Sequence, residues 1–196
     1  MNKARFEAFS DGVFAFAITL LILGIVLPET HYATNRELTS ALLHLWPNVI
    51  AYALSFAVIG IMWQNNHAVF RLVEHVDRTT VFLNLLLLAG TAFIPFATAT
   101  LGAYPAMHAS AFLYGIVLSY CATAYNALLS HLVRRRAFID SVDDAAIRST
   151  VRAYRVGWSI YFLATLLALL APIASFIAYI LVALYYLVPR GFDADI

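Results

Sequence analysis

"RFEAFSDGVFAFAITLLILGI", Arg5–Ile25, decides the fold. From Gly12 onward the stretch carries no charge, and the apolar run continues to Leu27 before Pro28-Glu29 stops it. A run of this length crosses a bilayer core, which takes roughly 20 residues of helix. Yet Arg5, Glu7, Ser10 and Asp11 crowd its leading edge. An acid at the rim of lipid needs a partner or a cap, so the role of Asp11 is the first question this chain raises.

The class follows from composition. Hydrophobic residues make up 63% of the 196 residues and charged residues 12%, against roughly 45–50% and 25% in soluble domains. Mean hydropathy is +0.82. These values predict an integral membrane protein. The formal net charge of +1 gives no basic field for nucleic acid, and one cysteine, Cys121, excludes an intrachain disulfide. The start of the chain is charged like a signal peptide. Its apolar run is too long for one, however, and no small-residue cleavage site follows, so it reads as a retained first span.

Six spans are expected, about Phe6–Leu27, His44–Asn66, Thr80–Leu101, His108–Leu132, Tyr154–Ala171 and Ile173–Val188. The first two are joined by a polar stretch, Glu29 to Ser40. Arg71 to Arg78 forms a charged turn, and "GAYPAM" another. The segment from Arg134 to Arg155 is a charged loop with an amphipathic helical piece, and Pro172 turns the last hairpin. With both termini on one side, that side collects every Lys and Arg except Arg36. This is the cytoplasmic side by the positive-inside rule. Residues 1–196 read as one domain, without internal repeat.

At 100° per residue, Arg5, Phe9, Gly12, Phe16, Leu20, Leu23 and Leu27 share one stripe of the first helix, with Thr19 at its border. Asp11 lies about 120–140° to one side of that stripe and Ser10 to the other. Asp11 can therefore cap the helix start or clamp a second span. Its best partners are in "WQNNH", Trp63 to His67. The stripe can be ordinary packing.

"RFEAFSDG", "MWQNNHAVFR" and "LNLLLLAGTAFIPFATATLG" together resemble the transmembrane-protein-175 family of potassium channels in its single-repeat prokaryotic form. Arg5, Phe9, Ser10 and Asp11 match the family's signature. Trp63, Asn66 and His67 match the end of its second span, and Phe-Ile-Pro-Phe matches the turn in its third. The resemblance implies an all-α subunit of six transmembrane helices in a homotetramer, with the first helix lining a central pore in the prokaryotic plasma membrane. It implies a weakly potassium-selective pore narrowed by Phe16, Leu20 and Leu23, with Thr19 favouring potassium. It implies no cofactor beyond the permeant ion. Phe16 stands where the family usually has isoleucine or leucine.

Other signals are weaker. The six histidines sit mostly at span ends without ligand spacing. Arg134-Arg135-Arg136 reads as a topology signal or a contact with lipid headgroups. Asn84 and Asn126 suit interhelical hydrogen bonds. Trp46, Tyr104, Tyr185 and Tyr186 suit interfacial belts. No nucleophile and base converge, so no enzyme is signalled. A secondary transporter or a proton-conducting protein is the alternative, although neither inverted repeats nor broken helices stand out.

Overall fold

The computed structural model describes residues 3–186, apart from the Tyr185 side chain. The expected end of the sixth span at Val188, and Arg190, lie outside the described residues. All regular structure in the described part is helical: α1 (Lys3–Leu20), α2 (Asn35–His44), α3 (Trp46–Leu72), α4 (Arg78–Ala103), α5 (His108–Arg134), α6 (Asp144–Leu167) and α7 (Pro172–Tyr186). A 3₁₀ turn, Leu21–Gly24, prolongs α1.

Four of these segments are long and apolar enough to cross a membrane: Lys3–Gly24, α3, α4 and α5. Pro172–Leu184 is a shorter apolar helix. With such spans the chain is a multi-pass membrane protein.

The boundaries differ from the sequence reading in four places, each for a local reason. Helix α2 occupies part of the expected polar connection. Its start is fixed by a capping box, in which Thr34 Oγ1 accepts from the Glu37 N–H at 3.3 Å and Glu37 Oε2 accepts from the Thr34 N–H at 3.4 Å. Helix α3 runs on to Leu72, because Asn65 and Asn66 are buried among other helices and do not mark an exit to water. The amphipathic piece of the charged loop is the first half of α6, continuous with the stretch expected as the fifth span. Asp143 starts it by accepting from the Ala145 N–H at 3.2 Å. Phe93-Ile94-Pro95-Phe96 is no turn, since α4 continues through Pro95. The ring costs one backbone hydrogen bond. Around it the Thr91 hydroxyl donates to the Leu87 carbonyl, and the Thr98 hydroxyl to that of Ile94.

The helices form a layered bundle. Helix α1 packs on α3 and α4 and touches none of α5, α6 or α7, whereas α6 packs only on α5 and α7. Helices α4 and α5 form the centre, where Leu87, Ile94, Leu101, Tyr114 and Leu128 are almost fully buried. The bundle is bolted by polar contacts as well as by packing. Ser55, Thr98 and Tyr114 join α3, α4 and α5 through hydroxyl bonds of 2.7 and 3.0 Å. Tyr186 is not a free interfacial ring, because its hydroxyl donates to the Ala153 carbonyl at 2.9 Å.

At one end the loops are stitched together. An isolated antiparallel bridge pairs Val73 with Phe138, supported by Glu74 N–H to the Ala137 carbonyl at 2.9 Å and Ile139 N–H to the Leu72 carbonyl at 3.0 Å. Lys3 Nζ donates to the Val73 carbonyl at 2.6 Å, so the start of α1 is tied to the same knot.

Candidate functional site

Two faces of α1 behave oppositely. Phe6, Ser10, Phe14, Ala17 and Leu21 are buried against α3 and α4. Phe9, Phe16 and Leu23 stand 55%, 66% and 67% exposed. Arg5, Gly12 and Thr19 are exposed on the same side, and Leu20 is half-buried. The geometric stripe is therefore not packed inside its own protomer. Beyond Leu20 the helix tightens to 3₁₀, where the turn per residue rises, and Leu23 nonetheless stays outward.

The buried face carries the polar anchor. Ser10 is 1% exposed and Asn84 fully buried. The Asn84 amide donates to Ser10 Oγ at 2.9 Å, and Asn84 Oδ1 accepts from the Asn66 amide at 2.8 Å. Ser10 Oγ in turn donates to the Phe6 carbonyl at 3.1 Å. This relay joins α1, α4 and α3 within an apolar core, where an unpaired amide would be costly.

Asp11 lies in the third turn of α1, since the helix already begins at Lys3, and so it caps nothing. Instead Asp11 Oδ1 accepts from Trp63 Nε1 at 2.8 Å. The Trp63 ring stacks on His67, with centroids 6.1 Å apart and planes 28° apart. Of the residues singled out in the sequence, Ser10, Asp11, Trp63, Asn66 and His67 thus gather along the α1–α3 contact. Arg5 and Phe9 point away with the stripe. Asn84 makes the interhelical hydrogen bonds expected of it and is the link between Ser10 and Asn66, although the sequence did not show which partners it would join. Its signal was the presence of an amide inside an apolar span.

The far end of α1 is held as well. Asn48 Nδ2 donates to the Gly24 carbonyl at 3.2 Å. A Cβ at Gly24 would come within 2.9 Å of that of Ala99, so only glycine allows the chain this close to α4. On the outer side the Thr19 hydroxyl donates to the Phe16 carbonyl at 2.8 Å, which leaves its oxygen lone pairs facing outward.

In a multi-pass helical membrane protein, a first helix fixed through one polar face leaves its opposite apolar stripe to meet lipid or a neighbouring copy. A family model described as the endosomal/lysosomal potassium channel TMEM175 matches residues 5–95. A potassium channel of Streptomyces collinus is 44% identical over 95% of this chain and 92% of its own length. One from Chamaesiphon minutus is 36% identical over 94% and 93%. The chain belongs to the TMEM175 family of ion channels.

Among solved structures, the lysosomal potassium-selective channel TMEM175 homolog from Chamaesiphon minutus superposes with a TM-score of 0.85 at 34% identity, covering 94% of this chain and 96% of that one. The human relative, an endosomal/lysosomal proton channel, is 39% identical over 50% of this chain and only 20% of its own length.

Proposed function

We propose that four copies of this chain assemble with α1 of each at a common axis, and that the assembly conducts potassium with weak selectivity. Phe16, Leu20 and Leu23 would form the constriction and Thr19 the polar ring beside it. The observation that carries this reading is the exposure of Phe16 and Leu23 on a helix whose opposite face is locked into the protomer. The potassium-channel relatives that match along nearly the whole chain support the choice of ion.

The mechanism needs no cofactor. A ring of apolar side chains stops ions by excluding water, and conduction begins when the ring widens enough to stay wet. The Thr19 oxygens then replace part of the hydration shell of a passing ion.

In this reading α1 and α3–α7 are six spans of one channel domain in a prokaryotic plasma membrane, with both termini in the cytoplasm and lipid around the rim. Planar-bilayer recording of the purified protein under bi-ionic potassium and sodium tests it. A reversal potential at zero removes potassium preference, and the absence of any unitary current removes the channel. Proton conduction is the second reading, favoured by the animal relatives described as proton channels. A pH gradient at symmetric potassium distinguishes the two.

A further inference from the structure

The first half of α6 carries Arg148, Arg152 and Arg155, spaced one turn apart and all exposed. Residues at i, i+4 and i+7 share a helix face. Among the described residues no carboxylate lies within 4.0 Å of any of the three, because the ion pairs involve Lys3, His75, His131 and Arg135. Asp143 and Asp144 stand at the helix start, where they complement its dipole. Further along the same side, Phe162, Leu163 and Leu166 are 46%, 64% and 45% exposed. A single face therefore passes from three unpaired guanidiniums to uncovered hydrocarbon.

We infer that this face binds an anionic phospholipid of the inner leaflet, headgroup on the arginines and acyl chains along the apolar half of α6. From Arg148 to Arg155 the helix rises about 10 Å, a span comparable with the headgroup layer on one side of a bilayer, about 5–8 Å. Arg155 sits at the hydrocarbon boundary, where its long stem reaches back to the phosphates. Planar guanidinium groups match phosphate oxygens in pairs.

The position in the bundle agrees with a lipid partner. Helix α6 touches only α5 and α7, and α1 touches neither these nor α6, so α6 is on the far side of the protomer from α1. The charge pattern that assigns the inner leaflet is the one from which the orientation was read. The inference does not depend on which residues narrow the pore.

Lipid retention can be read without any ion flux, so it fails or stands separately from the channel reading. The full-length protein, purified in mixed micelles containing equal phosphatidylglycerol and phosphatidylcholine, is examined by native mass spectrometry. Wild-type protein should retain phosphatidylglycerol in preference. R148Q/R152Q/R155Q should lose that preference, by roughly fivefold per guanidinium removed, while R148K/R152K/R155K keeps most of it. Equal retention by the Gln variant and wild type overturns the proposal. So does equal loss in R134Q/R136Q, which would make the effect one of total charge. Melting in inorganic phosphate or short-chain phosphatidylglycerol separates the sources. Stabilisation by phosphate equal to that by the lipid, at matched concentration, also overturns it.

Discussion

Phe16→Ala separates a gate from a packing residue, because the two roles differ in what surrounds the ring. In the protomer Phe16 is 66% exposed, so its own chain covers about a third of it. In a bilayer the loss is one of packing and not of burial from water; a fully buried Phe→Ala costs about 3–5 kcal/mol, and a third of that is about 1–2 kcal/mol. That is the protomer stability the truncation should cost. Phe14, at 1% exposed, sets the opposite case, where Phe→Ala costs about 3–5 kcal/mol.

For conduction the sign reverses. In the proposed assembly four phenyl rings at one level would keep the axis dry, and alanine would let water persist there. Each drop of about 1.4 kcal/mol in the barrier raises the rate tenfold, and we expect at least about one such step in potassium flux, with weaker discrimination against sodium. The assay is potassium efflux from liposomes, with thermal melting of the same preparation and Phe14→Ala as the packing control. A melting temperature lowered as far as in Phe14→Ala, with flux unchanged or reduced, would refute the gate. Unchanged flux with unchanged melting would place the ring against lipid and refute it equally.

Four further outcomes are expected. Asn84→Leu removes two interhelical hydrogen bonds and strands the Asn66 amide, so melting should show a loss of about 1–3 kcal/mol, with fewer intact oligomers on size-exclusion chromatography. Thr19→Val keeps the shape and removes the hydroxyl, and should lower potassium preference under bi-ionic conditions with little change in melting. Trp63→Phe deletes the donor to Asp11 while keeping most of the ring, and should cost about 1 kcal/mol and leave the reversal potential alone. The last concerns acid. Hydrogen bonds from the Thr80 N–H and hydroxyl, and then His131, bring the Asp77 carboxyl down to about 2 from 3.8. A lowered folded value means that its contribution is whole above about pH 4 and disappears as the pH falls through about 2. Asp77→Asn can still cap α4, so its melting deficit relative to wild type should shrink between pH 5 and pH 2.

Much of this architecture was legible because lipid imposes it. Apolar runs long enough to span stood out in α1, α3, α4 and α5, and the helical period separates Phe14 from Phe16 as soon as one face is assigned. Legibility failed where polar residues did something other than meet water. Asn65 and Asn66 read as the end of a span, but they are buried inside one. The Thr34–Glu37 capping box lay in a stretch taken for connection because α2 has no buried residue to give it a pattern. Asp143 began a helix inside what reads as a charged loop. Composition marks the membrane, but hydrogen-bond partners fix the boundaries, and these are three-dimensional facts.

The motif at the rim of the first span can now be explained by rotation. A smooth apolar helix could turn about its axis against α3 and α4 at little cost, since one greasy face packs much like another. The 2.9 Å bond from Asn84 to Ser10 and the 2.8 Å bond from Trp63 to Asp11 approach α1 from two neighbouring helices at consecutive residues. Consecutive residues differ by 100° on a helix, so satisfying both bonds leaves one rotation. Lys3 on Val73 and Asn48 on the Gly24 carbonyl then fix the height at either end. With rotation and height set, the outward direction of Phe16, Thr19 and Leu23 follows without any bond from another helix. An acid and a serine where lipid begins are thus an economical way to aim a stripe of side chains away from the core of their own subunit. The polar pair and the apolar stripe of the sequence are two halves of one device.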